Sequence, residues 1–240
     1  TMGSTAPALP GGALVVGNAE VVSALTLLQL VAPGAPVFHA LLVSGMEPRS
    51  ADYLVSLPQK YLCNAAAVQL AHAWGAPALA GAFGLDAAEP ATWQLGRDSV
   101  YTALLCALAG ADITSGLGML KASTRLAPEQ IIFDDEIYHT HRIMAQGLDA
   151  SPTGLALDVI AAVGPRNHYL SQKHTRRHLG DIWIPELTHP RPTSDSDIRQ
   201  RARAKFNRIL AEHRPEPLAP AVQAELQAIL KAAAREMNCE

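Results

Sequence analysis

Cysteine, aromatic side chains and charge are all scarce in this sequence, and each scarcity excludes something. Only 3 of the 240 residues are cysteine. Cys63, Cys106 and Cys239 are odd in number and widely spaced, which argues against a disulfide framework and against a C-x-x-C metal or redox motif, and implies a reducing, cytoplasmic compartment. Aromatic residues make up 5% of the chain, against 42 alanines, 17 glycines and 17 prolines, a composition of closely packed helices and tight turns rather than of an aromatic-rich β-sandwich. Charged residues account for only 17%, with a formal net charge of −3, so no global field draws the chain to nucleic acid or anionic lipid. Long hydrophobic runs are also missing: residues 13–32, the most apolar stretch, are interrupted by Asn18, Glu20 and Gln29. No basic region followed by a cleavage site precedes them, so neither a membrane span nor export is expected. What remains is a folded domain, 49% apolar, of α/β or all-α class.

The charge that is present is unevenly placed. Residues 1–125 carry 5 Lys/Arg and 7 Asp/Glu, whereas residues 126–240 carry 14 and 15, so the first half is mostly interior. Three short apolar runs there, 36–43, 77–83 and 111–115, read as buried parallel strands, each followed by a helical pattern. Helices are expected over 18–31, 60–74, 93–108 and 128–146, with Gly34, Gly75, Gly110 and Gly147 closing them. This is a repeated βα unit, best fitted by a (β/α)8 TIM barrel, with a doubly wound sheet as the alternative. Three strands cannot close a barrel. The opening Gly/Pro-rich residues 3–12 also read as a strand-to-helix loop whose strand is absent. The chain is therefore expected to be either half of one barrel, with its βα units over residues 1–147, or part of an oligomer, and the opening loop favours the fragment. A more polar helical cap (148–240) should pack on the same domain, with helices over 154–163, 174–178, 194–213 and 220–236. Exposed strand edges should drive such a chain to associate as a homo-oligomer.

In parallel α/β folds chemistry sits on the loops after strand C-termini, here 3–12, 44–52, 84–89 and 116–124. Ser44, Arg49, Asp52, Asp86 and Ser115 are the polar side chains to meet a ligand there. Asp86, close to Phe83, offers a carboxylate beside an aromatic face, a combination that attracts cations. Of the nine histidines, five cluster as His139/His141 and His168/His174/His178. His174 and His178 share a helix face, but no Glu completes an H-E-x-x-H motif, and Arg176 and Arg177 oppose a cation, so hydrogen-bonding roles are expected and no metal site. Asp134, Asp135 and Glu136 project about 100° apart on a helix and cannot converge on one ion; an acidic run near the helix start suits its dipole. Gly116-Leu-Gly118-Met-Leu-Lys121 lacks the last glycine of a dinucleotide fingerprint, and neither a P-loop nor a G-x-S-x-G elbow occurs. Arg199, Arg201, Arg203, Lys205 and Arg208 alternate with acids, as a solvated helix face does.

Several segments in order resemble the corrinoid-dependent trimethylamine and glycine betaine methyltransferases. They are Thr5-Ala-Pro7 with Asn18-Ala-Glu20, Pro33-Gly-Ala-Pro36 leading to Ser44-x-Met46, Ala107-Leu-Ala-Gly110-Ala-Asp112, and Glu129 to Glu136. Val163-Gly-Pro165 to His168 with His174-Thr175, and Pro217-Leu218-x-Pro220, complete the set. The resemblance covers the family's C-terminal half. It implies transfer of a methyl group from a tertiary or quaternary methylamine to the Co(I) of a separate corrinoid (cobalamin) protein, with no cofactor bound directly. Residue by residue it points to the loop around Gly84 to Asp86, to Gln94 and to His168, which join Ser44 and Phe83 of the loop reading as the expected substrate-binding positions. Only standard residues stand over 78–84, where the trimethylamine enzyme carries pyrrolysine, which favours a betaine-like substrate. The family's Ser-Asp and Gly-Gly are replaced here by Leu85-Asp86 and Arg166-Asn167. A non-catalytic quaternary-amine-binding barrel, or a metal-dependent hydrolase using His139, His141, His168 or His174, are the alternatives.

Overall fold

The computed structural model describes residues 1–189 and 197–237. The first helix, α1 (Pro10–Val31), leads to strand β1 (His39–Ala40) and a small antiparallel hairpin, β2 (Gly45–Met46) with β3 (Tyr53–Leu54). Helix α2 (Pro58–Ala73), strand β4 (Ala78–Ala80), helix α3 (Trp93–Leu108) and strand β5 (Ile113–Thr114) follow. A second hairpin, β6 (Met119–Leu120) with β7 (Arg125–Leu126), precedes α4 (Pro128–Gln146). Strands β1, β4 and β5 form one parallel sheet in that order, with His39 opposite Ala78 and Leu79 opposite Ile113. Each expected strand is present but shorter than the apolar run that announced it. The helices over 60–74, 93–108 and 128–146 lie within two residues of their expected bounds.

The first helix starts earlier than the pattern suggests. Proline at the first helical position loses no hydrogen bond, and Ala13 and Gly17 let the helix sit directly on Leu41. Among the described residues α1 is the one helix long and apolar enough, by length and composition, to cross a membrane, with a mean hydropathy of 1.7. Here it lies against the sheet: its Asn18 Oδ1 is 3.1 Å from Nε2 of His39, which is 1% exposed. Strand alternation puts His39, Leu41 and Val43 on this helix-covered side, where all three are buried. The opposite side carries Phe38 (46% exposed), Leu42 (54%) and, from β5, Ile113 (42%). On the covered side of β4, Ala78 and Ala80 pack with Val68 and Ala71 of α2 and Ala103 and Cys106 of α3. Cys63 and Cys106 are free thiols, and burial pushes the Cys106 thiol up to about 11.

After α4 come α5 (Pro152–Leu155) and α6 (Leu157–Val163), broken from one another at Ala156, whose φ is +46°. Then follow α7 (Lys173–His178), a 3-10 turn (Leu179–Asp181), α8 (Ile198–Glu212) and α9 (Pro220–Glu236). Two compact units divide the chain within α8, Thr1–Phe206 and Asn207–Glu240. Within the first unit Leu187, Thr188 and Arg203 are fastened to α4. Glu136 accepts the Leu187 and Thr188 amides at 2.7 and 3.0 Å, Arg201 donates to the Leu187 carbonyl, and Arg203 pairs with Glu129. Of the basic residues of α8, Arg201 and Arg203 are thus bonded within the first unit. Residues 194–196 of the expected helix and Cys239 lie outside the described residues. In the second unit α9 carries Val222, Leu226, Ile229 and Leu230 on one stripe, each 44–62% exposed.

Gly116 is the most constrained turn position. Its φ is +95°, and a Cβ there would sit 2.6 Å from the Phe83 carbonyl group. Gly116→Ala is expected to cost about 2 kcal/mol or more, since backbone rather than a yielding side chain opposes it, read as a lower urea midpoint at unchanged slope.

Candidate functional site

The carboxyl ends of β1, β4 and β5 open onto three loops, and these are laced to one another by hydrogen bonds. Asp86 accepts the amides of Val55 (2.9 Å) and Ser56 (2.7 Å), while its own amide donates to Ser56 Oγ at 3.0 Å. The second hairpin lies on the same loop: Lys121 N donates to Ala87 O and Ala122 N to Leu85 O. Ser123 Oγ reaches Gly84 O at 3.3 Å, and Arg125 pairs with Glu89 while donating to Ala88 O. The tip of that hairpin, Lys121, Ala122 and Ser123, runs through three consecutive left-handed residues at φ +48°, +51° and +69°. Such non-glycine strain persists only where surrounding contacts over-determine it, and it concentrates at functional loops.

The expected site residues fall into three groups. Phe83 is 4% exposed within the apolar cluster of α2, α3 and β4, so its ring is a core element and presents no face beside Asp86. Ser44 is 4% exposed, its Oγ 3.0 Å from Thr1 Oγ1, and Asp86 is a half-buried clasp whose oxygens are taken by backbone amides. These three hold the loops. Gln94, second residue of α3, and His168, in the Gly164 to His168 turn, are exposed and stand apart in the chain from the clasp.

Residues that the sequence reading passed over build the ground beneath these loops. At its loop-side end α2 turns Lys60, Tyr61 and Asn64 towards Asp98, Ser99 and Thr102 of α3, all buried. Lys60 Nζ (3.1 Å) and Asn64 Nδ2 (2.9 Å) both donate to the Gly81 carbonyl just past β4. Burial pushes the Lys60 ammonium down, opposed by the charges of Cys106, Asp86 and Asp98, and pushes the Tyr61 phenol up. Tyr61 OH, Asn64 Oδ1, Asp98 Oδ2 and Ser99 Oγ have no hydrogen-bond partner. Polar residues at i and i+4 of an otherwise apolar helix face, Lys60 with Asn64 and Asp98 with Thr102, are the signal that could have found this layer.

The acidic run of α4 lies in its second and third turns, beyond the dipole's reach, and its members serve three separate ends. Asp134, 2% exposed, accepts Gly118 N and Gln130 Nε2, each at 2.7 Å; burial pushes its carboxyl up to about 6. Asp135 lies 3.6 Å from His139, and Glu136 holds the 187–188 segment. The histidines also serve separate ends, although the His174 and His178 rings lie together with 4.6 Å between centroids. His174 Nε2 is 3.2 Å from Thr153 O, His178 Nδ1 is 2.7 Å from Asp181, and His141 is buried alone. Among the described residues no three His, Cys, Asp or Glu side chains converge as metal ligands would.

Two outcomes follow from this geometry. Asp86→Ala should destabilise by about 2–3 kcal/mol through loss of charge-assisted hydrogen bonds, with faster amide exchange at Val55 and Ser56; an unchanged exchange pattern would contradict the clasp. For Asp134 the folded-state pKa, about 6, lies above the ordinary 3.8. Its contribution to stability is therefore full below pH 3.8 and is lost as pH rises through about 6. Relative to wild type, Asp134→Asn should gain stability over that window and run parallel above it, measured by urea unfolding across pH.

Similarity to known proteins bears on what stands on these loops. The family model described as trimethylamine methyltransferase (MTTB) matches residues 1–238. Glycine betaine methyltransferase of Desulfitobacterium hafniense is 33% identical over 246 aligned positions, covering 99% of this chain and 51% of that protein. Trimethylamine methyltransferase MttB2 of Methanosarcina mazei is 32% identical over 97% of this chain and 48% of its own length. Trimethylamine methyltransferase MttB of Methanosarcina barkeri is 31% identical over 95% and 47%. The chain thus spans about half the length of the curated relatives it matches. With residues 1–238 matched by the family model, the chain belongs to the trimethylamine methyltransferase (MTTB) family.

Proposed function

We propose that this chain supplies the C-terminal half of a (β/α)8 barrel whose complete form removes a methyl group from a tertiary or quaternary methylamine and passes it to the cobalt of a separate corrinoid protein in the cytoplasm. The observation that carries the reading is the sheet side bearing Phe38, Leu42 and Ile113. Those three large apolar side chains are 42–54% exposed on one face of a parallel sheet whose other face is buried under helices. Parallel sheets are covered on both faces, so this side calls for a partner surface, and the half-length match to relatives supports a second half of the barrel as that surface. The sequential strand order suits a singly wound barrel. With the second half in place, or with another copy in a homo-oligomer, the edges of β1 and β5 gain neighbours.

In this reading the protein binds and orients, and the acceptor metal performs the attack. Methyl displacement needs the metal, the carbon and the nitrogen in line, so positioning and exclusion of water carry much of the acceleration. A quaternary nitrogen leaves as a neutral amine and needs no acid. The interlocked loops around Asp86 would hold the rim of the mouth rigid, leaving exposed Gln94 and His168 to meet substrate. A betaine is favoured over trimethylamine because the chain carries only standard residues over 78–84.

The test joins this chain to the polypeptide that its relatives carry ahead of the matched region. The complete protein is mixed with a reduced corrinoid protein and either glycine betaine or trimethylamine, and the cobalt spectrum is followed. Methyl transfer with one amine is expected. His168→Ala should then raise KM or lower kcat at least tenfold. Measurable amine binding without any transfer would replace the enzyme by an amine-binding barrel.

A further inference from the structure

The short helix α7 carries two histidines four residues apart, His174 and His178, and so sets them on one face. Their rings lie 4.6 Å apart between centroids, tilted by 40°. Each ring spends one nitrogen on an acceptor outside the pair. His174 Nε2 is 3.2 Å from the Thr153 carbonyl of α5, and His178 Nδ1 is 2.7 Å from the Asp181 carboxylate in the following turn. A carbonyl and a carboxylate only accept, so those two nitrogens carry the protons. In the neutral rings the lone pairs therefore stand on His174 Nδ1 and His178 Nε2. Both rings are partly exposed, 37% for the His178 side chain, and neither nitrogen is enclosed as the Nδ1 atoms of His39 and His141 are.

An imidazole that binds a metal ion characteristically gives its other N–H to a carboxylate or a backbone carbonyl, which fixes the tautomer and raises the basicity of the ligating nitrogen. Both rings have that outer partner in place. One ion at about 2.0–2.1 Å from each imidazole needs nitrogens roughly 3 Å apart, a separation within the compass of rings whose centroids are 4.6 Å apart. Of the two arginines that oppose a cation here, Arg176 is held on the Ser171 carbonyl at 2.9 Å, and Arg177 is exposed, where water and salt screen its charge. Two imidazoles without a thiolate select the borderline divalent ions, zinc, nickel and copper, over magnesium and calcium, which seek oxygen. Among the described residues no third side chain joins the pair, so water fills the other positions on the ion.

We propose that His174 and His178 chelate a divalent ion of the zinc class through Nδ1 and Nε2 respectively, with Thr153 O and the Asp181 carboxylate as outer partners, and that the ion staples α7. A helix of six residues is too short to hold by itself in water, so a clip across its one full turn has order to supply. The site is separate from the loops at the strand ends and does not depend on the methyl-transfer reading.

The probe is Zn²⁺, titrated into the metal-free full chain by calorimetry, with Mg²⁺ as the oxygen-seeking comparison. The expected result is one Zn²⁺ bound per chain, no Mg²⁺ bound over the same range, and a melting temperature that rises with Zn²⁺ by mass action. His174→Gln and His178→Gln should each weaken binding roughly tenfold or more, since each leaves a single imidazole, and the double variant should add little to either. Asp181→Asn, which gives His178 a weaker acceptor, should cost about tenfold. His139→Gln, at another exposed histidine, should change nothing. Should a variant fail to fold, the imidazole ¹⁵N resonances of His174 Nδ1 and His178 Nε2 in the wild-type chain must still move on zinc addition. Absence of saturable binding, binding that survives both histidine variants, or zinc shifts confined to other histidines, which would mean an adventitious ion only, overturns the proposal.

Discussion

The carbonyl of Gly81 receives two buried donors, the Lys60 ammonium and the Asn64 amide, at the point where β4 hands over to its loop. Burying a lysine is expensive unless it is paired and bonded. Here the cost is met by that carbonyl and by the nearby carboxylates of Asp86 and Asp98. The arrangement divides the α2–α3 interface into two levels. Near the loops it is polar, with Lys60, Tyr61 and Asn64 against Asp98, Ser99 and Thr102; further down it is apolar, with Val68 and Ala71 against Ala103 and Cys106. A purely apolar interface could slide by a turn with little penalty. The polar level pins one register, and with it the position at which the β4 loop leaves the sheet.

Everything above the sheet inherits that register. Leu85 and Ala87 lie under Leu120 and Ala127 of the second hairpin, and Asp86 fastens the segment ahead of α2. The strained tip at Lys121 to Ser123 is tolerated because its amides are taken by Leu85 and Ala87. Below, Asp134 ties Gly118 to α4, so the same loop is held from both sides. Asp86 and Ser44 are bonded within this frame and Phe83 is packed beneath it, while Gln94 and His168 are exposed.

How much of this could be read from the residues differs by level. Helix α3 starts at Trp93 and α9 ends at Glu236 as the periodicity requires, because Thr92 caps the one and a single apolar stripe defines the other. The three parallel strands were legible as apolar runs, though the sheet uses only their central two or three residues. The small hairpins at 45–54 and 119–126 were not, since two-residue strands carry no periodic signal. Nor was the direction of a polar side chain legible. Asp86 is read as a cation-attracting carboxylate from its neighbours in sequence, but its partners Val55 and Ser56 are some thirty residues away.

Local chemistry by itself therefore determined the class of the chain, the order of its βα units, the ends of α2, α3, α4 and α9 to within two residues and, through ordered short motifs, its family. These depend on propensity, capping and alternation, which act over a few residues. Only the tertiary structure decided which polar groups are structural and which remain available, where the compact units divide, and that His141 is enclosed without a partner. Hydrogen-bond satisfaction and desolvation depend on every group packed around an atom, and most of those groups come from distant parts of the chain.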